Sequence, residues 1–164
     1  MKEIVLIPQE RVAVLIGKKG ADRRNLEQKG DVKLWIDSKT HEITINGAED
    51  KIYFAARVVE LVGRGFSPDT ACKVFDDRYC AEIINLRDFG AKERKTRKSM
   101  LARLIGTEGK TKHIIEKDTN TAIVIYGKTV GIIGKPEDVE HARLAVEAIL
   151  TGSKQGTAYK FLRE

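Results

Sequence analysis

Two short segments of the chain combine glycine spacing with charge in a way that suits the gripping of phosphate. Leu15-Ile16-Gly17-Lys18-Lys19-Gly20 and Leu104-Ile105-Gly106-Thr107-Glu108-Gly109 each contain Gly-x-x-Gly. Glycine has no Cβ, so a phosphodiester can pass directly over its backbone. A helix that starts just after such a turn presents unpaired N–H groups and the positive end of its dipole. In the first turn Lys18 and Lys19 add charge, and Arg23 and Arg24 follow. In the second, Glu108 opposes phosphate while Lys110, Lys112 and His113 stand just beyond it. Apolar residues stand beside each turn. They are Val12, Ile16, Leu34 and Ile36 in the first segment and Leu101, Ile105, Ile123 and Ile125 in the second. Most of these are also expected to pack a core, with a minority meeting the ligand.

Other chemistries find little support. Gly109-Lys110-Thr111 resembles the end of a nucleotide-binding loop, but that motif needs glycine where Leu104 stands. Cys72 and Cys80 form no C-x-x-C pair, and no histidine is placed to activate Cys72. His41, His113 and His141 are scattered, without metal-ligand spacing. Asp76-Asp77 reads as a turn and cap. No catalytic residue, metal or cofactor is expected.

The elements that would position the two turns repeat. An offset of 89 aligns the turns and pairs Val32–Ile36 with Thr121–Ile125. Further on the offset falls to 87, so the second copy has a loop two residues shorter. Ile52, Ala55, Val59 and Val62 follow the spacing of one helix face, and Val139, Ala142, Val146 and Ile149 are their counterparts. Each copy reads β-α-α-β-β-α. Strands are expected at Glu3–Ile7, Val32–Asp37 and Glu42–Asn46, and at Tyr79–Asn85, Thr121–Tyr126 and Thr129–Ile133. Helices are expected at Glu10–Ile16, Ala21–Lys29 and Glu49–Val62, and at Ala91–Ile105, Lys110–Asp118 and Pro136–Leu150. Ser67-Pro68 looks like a cap with proline in the first helical position, opening a short helix to Phe75. The expected division is a first domain over 1–65, a helical linker over 66–78, a second domain over 79–152 and a tail over 153–164.

The 164 residues carry 30 basic and 24 acidic side chains, a net charge of +6. Residues 1–78 hold +1 and the remainder +5. Much of the second charge comes from Lys92, Arg94, Lys95, Arg97 and Lys98, on the helix leading to the second turn. Lys95 and Lys98 could flank a phosphate chain there, and a solvated helix face is an equally good account. Trp35 and Val124 fall on the sheet face opposite Leu34 and Ile123, which suggests a contact with another domain or a partner. No apolar run approaches the roughly 20 residues of a membrane span. The expectation is a soluble, reduced, cytoplasmic protein with no membrane contact.

An α+β chain with two β-α-α-β-β-α units and a Gly-x-x-Gly between the first two helices of each resembles tandem type I KH domains. The resemblance implies binding of single-stranded RNA, with each loop holding about four nucleotides. Leu104–Glu116, Ile132-Ile133-Gly134, Ala142-Arg143 and Gly65-Phe66 are further similar to the Dim-two/partner-of-Nob-one ribosome assembly proteins. That family implies binding near the 3′ end of small-subunit rRNA or its precursor. It also implies cooperation with the Nob-one endonuclease and contact with the alpha subunit of translation initiation factor two. Two features depart from it: the first copy keeps an intact Gly-Lys-Lys-Gly, and Glu108 makes the second loop less basic. The alternative is a scaffold in which one copy holds a protein, such as a translation factor or nuclease, instead of RNA.

Overall fold

A computed structural model describes residues 1–152 and 159–162. The chain divides into two compact units, Met1–Tyr79 and Cys80–Glu164. In the first, β1 (Lys2–Leu6) leads to α1 (Gln9–Ile16), α2 (Ala21–Gly30), β2 (Lys33–Asp37), β3 (Glu42–Asn46) and α3 (Glu49–Gly63). A short α4 (Pro68–Ala71) runs into a 3-10 turn, Cys72–Phe75. The second unit repeats the order as β4 (Cys80–Asn85), α5 (Arg94–Ile105), α6 (Lys110–Thr119), β5 (Ala122–Tyr126), β6 (Thr129–Gly134) and α7 (Pro136–Leu150). Each unit has one antiparallel sheet, ordered β1-β3-β2 in the first and β4-β6-β5 in the second. The strand that follows the Gly-x-x-Gly helix pair, β2 or β5, therefore lies at a sheet edge.

The repeat seen in the sequence is a repeat of the core. Strand alternation sends Leu34, Ile43 and Ile45 to the helix side, and all three are buried. Their counterparts Ile123, Val130 and Ile132 are buried too. Leu15 and Leu26 from α1 and α2 match Leu104 and Ile115 from α5 and α6, again buried. The closing helices supply Ile52, Ala55, Val59 and Val62 in one unit and Val139, Ala142, Val146 and Ile149 in the other. Each large side chain taken from water stabilises its unit by about 1.5–3 kcal/mol before ordering costs. Ala55 and Ala142, both fully buried, leave room for the closing helix to lie close to its sheet.

Two local differences from the sequence expectations have clear causes. The helix expected from Ala91 begins at Arg94, because a 3-10 turn, Leu86–Phe89, precedes it. The Asn85 side chain accepts the Arg87 N–H and starts that turn, and Gly90 ends it at φ 87°. Lys92 thus lies outside the helix. The segment expected as a linker is built into the first unit: Phe66 and Ala71 are fully buried, and the Phe75 ring lies against Gly30. The Ser67 hydroxyl does cap α4, accepting the Thr70 N–H at 3.3 Å ahead of Pro68. Most of the tail over 153–164 lies outside the described residues, although Tyr159 packs on the second core.

On the outer face of the first sheet, Ile4, Thr44 and Trp35 form one row across the strands. Trp35 is 70% exposed, so nothing in the first unit covers it. Among the described residues no helix is long and apolar enough to cross a membrane.

Candidate nucleic-acid interface

The two Gly-x-x-Gly turns share one backbone despite different side chains. Gly17, Lys19 and Gly20 have φ of 74°, 54° and 76°; Gly106, Glu108 and Gly109 have 77°, 56° and 75°. The left-handed conformation costs an L-residue roughly 1–2 kcal/mol, yet Lys19 and Glu108 both adopt it. Strain held at the same position in two copies points to a functional shape. The first glycine of each turn is fixed twice over. A Cβ on Gly17 would strike the Asp22 carboxylate, and one on Gly106 would strike Thr111. The last glycine differs between the copies: a Cβ on Gly20 would meet the Arg24 guanidinium at 3.0 Å, whereas nothing lies within 4 Å of one built on Gly109. That open space over bare backbone is where a phosphate can approach.

The helices behind the turns are left ready for an anion. Neither α2 nor α6 has a side-chain cap at its start, where Gly20 and Gly109 hold the N-cap positions. The Ala21 and Lys110 N–H groups donate back to the Lys18 and Thr107 carbonyls of the turn, and each helix directs the positive end of its dipole at the loop. Lys18 and Lys19 are exposed on the first turn. The Arg24 guanidinium donates to the Lys19 carbonyl at 2.7 Å, so it braces the turn that it was expected to supplement. His113, at the equivalent place in the second copy, is exposed, as are Thr107, Glu108 and Lys110.

The expected groove residues separate into two groups. Leu34 and Ile123 do not line the groove: they are 4% and 2% exposed, each near the start of its strand and bonded through its N–H to a carboxylate of α2 or α6. Ile16, Ile36 and Ile125 are half-buried, and Ile105 is 37% exposed. These four remain on the surface beside the turns. Along α5, Lys95, Lys98, Ala102 and Ile105 recur at helical spacing and are all exposed, so the lysines share a face with the groove. α1, with eight residues, carries no lysine. Sequence reasoning passed over Ala13 and Ala102, which hold equivalent exposed positions one turn before the glycines. Their signal was the match at offset 89.

Two further cations take a different part from the one expected. Arg23 lies 3.7 Å from Glu27, and Lys112 lies 2.9 Å from Glu116. Both are engaged by a carboxylate of their own helix. The thiol of Cys72 is buried, and desolvation pushes it up to about 11, which suits an inert core residue. Among the described residues no group of three His, Cys, Asp or Glu is placed to hold a metal ion.

Comparison with known proteins agrees with this geometry. Residues 80–164 match the family model for the second PNO1 domain, described as a eukaryotic type KH domain of type I. Residues 2–61 match the KH domain family. A KH domain-containing protein of Methanocaldococcus jannaschii is 39% identical over 165 residues, covering 98% of this chain and 72% of that protein. The pre-rRNA-processing protein PNO1 of Debaryomyces hansenii is 32% identical over 131 residues, covering 78% of this chain and 50% of its own. This chain thus spans about half the length of that fungal relative. Dim2p of Pyrococcus horikoshii OT3 superimposes with a TM-score of 0.88 at 38% identity, covering 99% of this chain and 98% of its own. The same Pyrococcus protein has also been solved in an a/eIF2alpha–aDim2p–rRNA complex, with a TM-score of 0.88 and coverage of 99% and 92%. With two KH domains, a matching PNO1 domain and these relatives, the chain belongs to the Dim2/PNO1 family of KH-domain proteins.

Proposed function

We propose that this chain is a single-stranded RNA-binding factor of small-subunit ribosome assembly. In this reading it works near the 3′ end of 16S-type rRNA or its precursor and assists maturation by binding, without catalysis. The observation that carries the reading is the pair of strained, uncapped Gly-x-x-Gly turns with one backbone shape. The names of the relatives support the RNA, since PNO1 is a pre-rRNA-processing protein and the Pyrococcus complex contains rRNA. That complex also contains a/eIF2alpha, which supports the initiation-factor subunit as a partner here; the Nob-one endonuclease is a second proposed partner. The cytoplasm is the proposed location.

Two modules would act, 1–65 with its linker over 66–78, and 79–152. In the first, Gly17, Lys18, Lys19 and Gly20 hold phosphate, and Ile16 and Ile36 meet bases. In the second, Gly106, Thr107, Gly109, Lys110 and His113 hold the backbone, Ile105 and Ile125 meet bases, and Lys95 and Lys98 track the approaching strand. A second reading, favoured by the exposed Glu108, gives the second module a protein ligand and leaves RNA to the first.

Fluorescence anisotropy tests both, with a short RNA copied from the 3′ end of 16S-type rRNA and a scrambled control. Lys18→Asp/Lys19→Asp and Thr107→Asp are each expected to weaken binding by about tenfold or more, since each adds charge against a phosphate. Loss only in the first variant selects the second reading. If neither variant changes the affinity, the clamp reading is wrong.

A further inference from the structure

Glu27 and Glu116 do the same thing in two units. The Glu27 backbone carbonyl accepts the Val32 N–H at 3.1 Å, and its side-chain Oε2 accepts the Leu34 N–H at 2.8 Å. The Glu116 carbonyl accepts the Thr121 N–H at 3.1 Å, and its Oε2 accepts the Ile123 N–H at 2.9 Å. In each case the other carboxylate oxygen, Oε1, faces a cation one turn earlier: Arg23 at 3.7 Å and Lys112 at 2.9 Å. β2 and β5 are edge strands. An N–H pointing off an edge has no strand partner and needs another acceptor. The carboxylate supplies it, and a charged acceptor makes a stronger bond than a neutral one.

The consequence is geometric. α2 and α6 carry the phosphate clamps at their first turns, while β2 and β5 carry Ile36 and Ile125 on the opposite wall of each groove. The carboxylate joins those two walls. We propose that Glu27 and Glu116 are positioning residues that set the width of the two RNA grooves, with Arg23 and Lys112 serving as their counterions and binding no phosphate. The proposal rests on the RNA-binding reading above and deepens it. It also removes two residues from the phosphate-contact set that charge and position alone suggested.

The second unit gives the clearer test, because its ion pair is the closer one. The full chain is titrated with the 16S-type RNA and the scrambled control by anisotropy at four salt concentrations, well below the unfolding temperature. The variants are Glu116→Ala, Glu116→Gln, Lys112→Gln and Lys110→Gln. Glu116→Ala is expected to bind about tenfold more weakly, the worth of one charge-assisted hydrogen bond. It should also lose preference for the native RNA. Glu116→Gln keeps an oxygen for the Ile123 N–H, so it should recover most of the affinity and preference. Lys112→Gln should leave the slope of log affinity against log salt unchanged. Lys110→Gln should lower that slope by about 0.7, the value for one phosphate contact on a single strand.

If Lys112→Gln lowers the slope as Lys110→Gln does, Lys112 binds phosphate and the proposal is overturned while RNA binding stands. The same follows if Glu116→Ala binds like the native chain, or if Glu116→Gln is no better than Glu116→Ala. If the native chain binds no RNA at all, the reading of the groove falls, and this inference with it.

Discussion

Glu108→Lys should turn the second clamp into a stronger one. The two loops have the same backbone, with φ of 54° at Lys19 and 56° at Glu108, so a lysine enters position 108 without new strain. Unit charges 4 Å apart interact by about 1 kcal/mol in bulk water. A phosphate seated over Gly109 would be on the order of 5–6 Å from a side chain one residue away, judged from the 3.8 Å Cα spacing. Each charge is then worth about 0.7 kcal/mol, and replacing −1 by +1 about 1.4 kcal/mol, or tenfold in affinity. At 0.15 M salt, with a Debye length of about 8 Å, roughly half of that survives, or about threefold. The assay is anisotropy with the 16S-type RNA at low and physiological salt, and the salt slope should steepen by about 0.7. Lys19→Glu should move the first clamp the opposite way by a similar factor. An unchanged affinity at low salt for Glu108→Lys, with an unchanged melting temperature, would refute a phosphate seated at this loop.

Three further outcomes follow from packing and burial. Gly109→Ala should cost about 1 kcal/mol in urea unfolding, because only its φ of 75° resists a side chain. Gly106→Ala should cost more, since its Cβ also meets Thr111; equal costs would contradict the double constraint. Ala142→Leu should destabilise the chain by about 1–3 kcal/mol by overpacking a fully buried position on α7, as read from the urea midpoint. Cys72 is raised above its ordinary 9.0 to about 11 by burial, so folding favours its neutral thiol. The stability that this contributes is complete below pH 9 and is lost as pH rises towards 11. Unfolding midpoints should therefore fall relative to Cys72→Val across that window, and native Cys72 should resist iodoacetamide at pH 8.

The order of elements was legible because two signals reinforced each other. Helix-face spacing at Ile52, Ala55, Val59 and Val62 gave one closing helix, and the offset of 87 gave its twin without further assumption. The glycines were legible for a similar reason, since the turn needs left-handed backbone and both copies pay attention to it. What escaped is side-chain partnership. Leu34 and Ile36 look alike in alternation, and only the placement of α2 beside the start of β2 buries the first while leaving the second half-open. Arg23 and Lys112 look like phosphate ligands by charge and position, but each lies one helical turn before a carboxylate. That i,i+4 pairing was readable in principle. Its second role, holding an edge-strand N–H seven residues on, was not, because it depends on how the chain turns back at Asp31 and Asn120. Both of those residues are left-handed, with φ of 54° and 52°.

The division of labour inside each loop follows from the same geometry. Gly17 and Gly106 are held by the fold, since a side chain at either would strike the helix that starts behind it. The two middle residues of each loop are exposed. They can change from Lys-Lys to Thr-Glu while the backbone φ values stay within a few degrees. Grip on phosphate therefore has a fixed part, made of backbone N–H groups and a helix dipole, and an adjustable part, made of two exposed side chains. The fixed part carries no base preference, because every nucleotide has the same phosphate. Preference must then come from the opposite wall, at Ile36 and Ile125, and any device that moves that wall relative to the clamp changes which base fits. The carboxylates of Glu27 and Glu116 are the side chains that join the two walls, so a substitution there should alter selectivity more than a substitution at Lys18 or Thr107, which should alter affinity for all sequences alike.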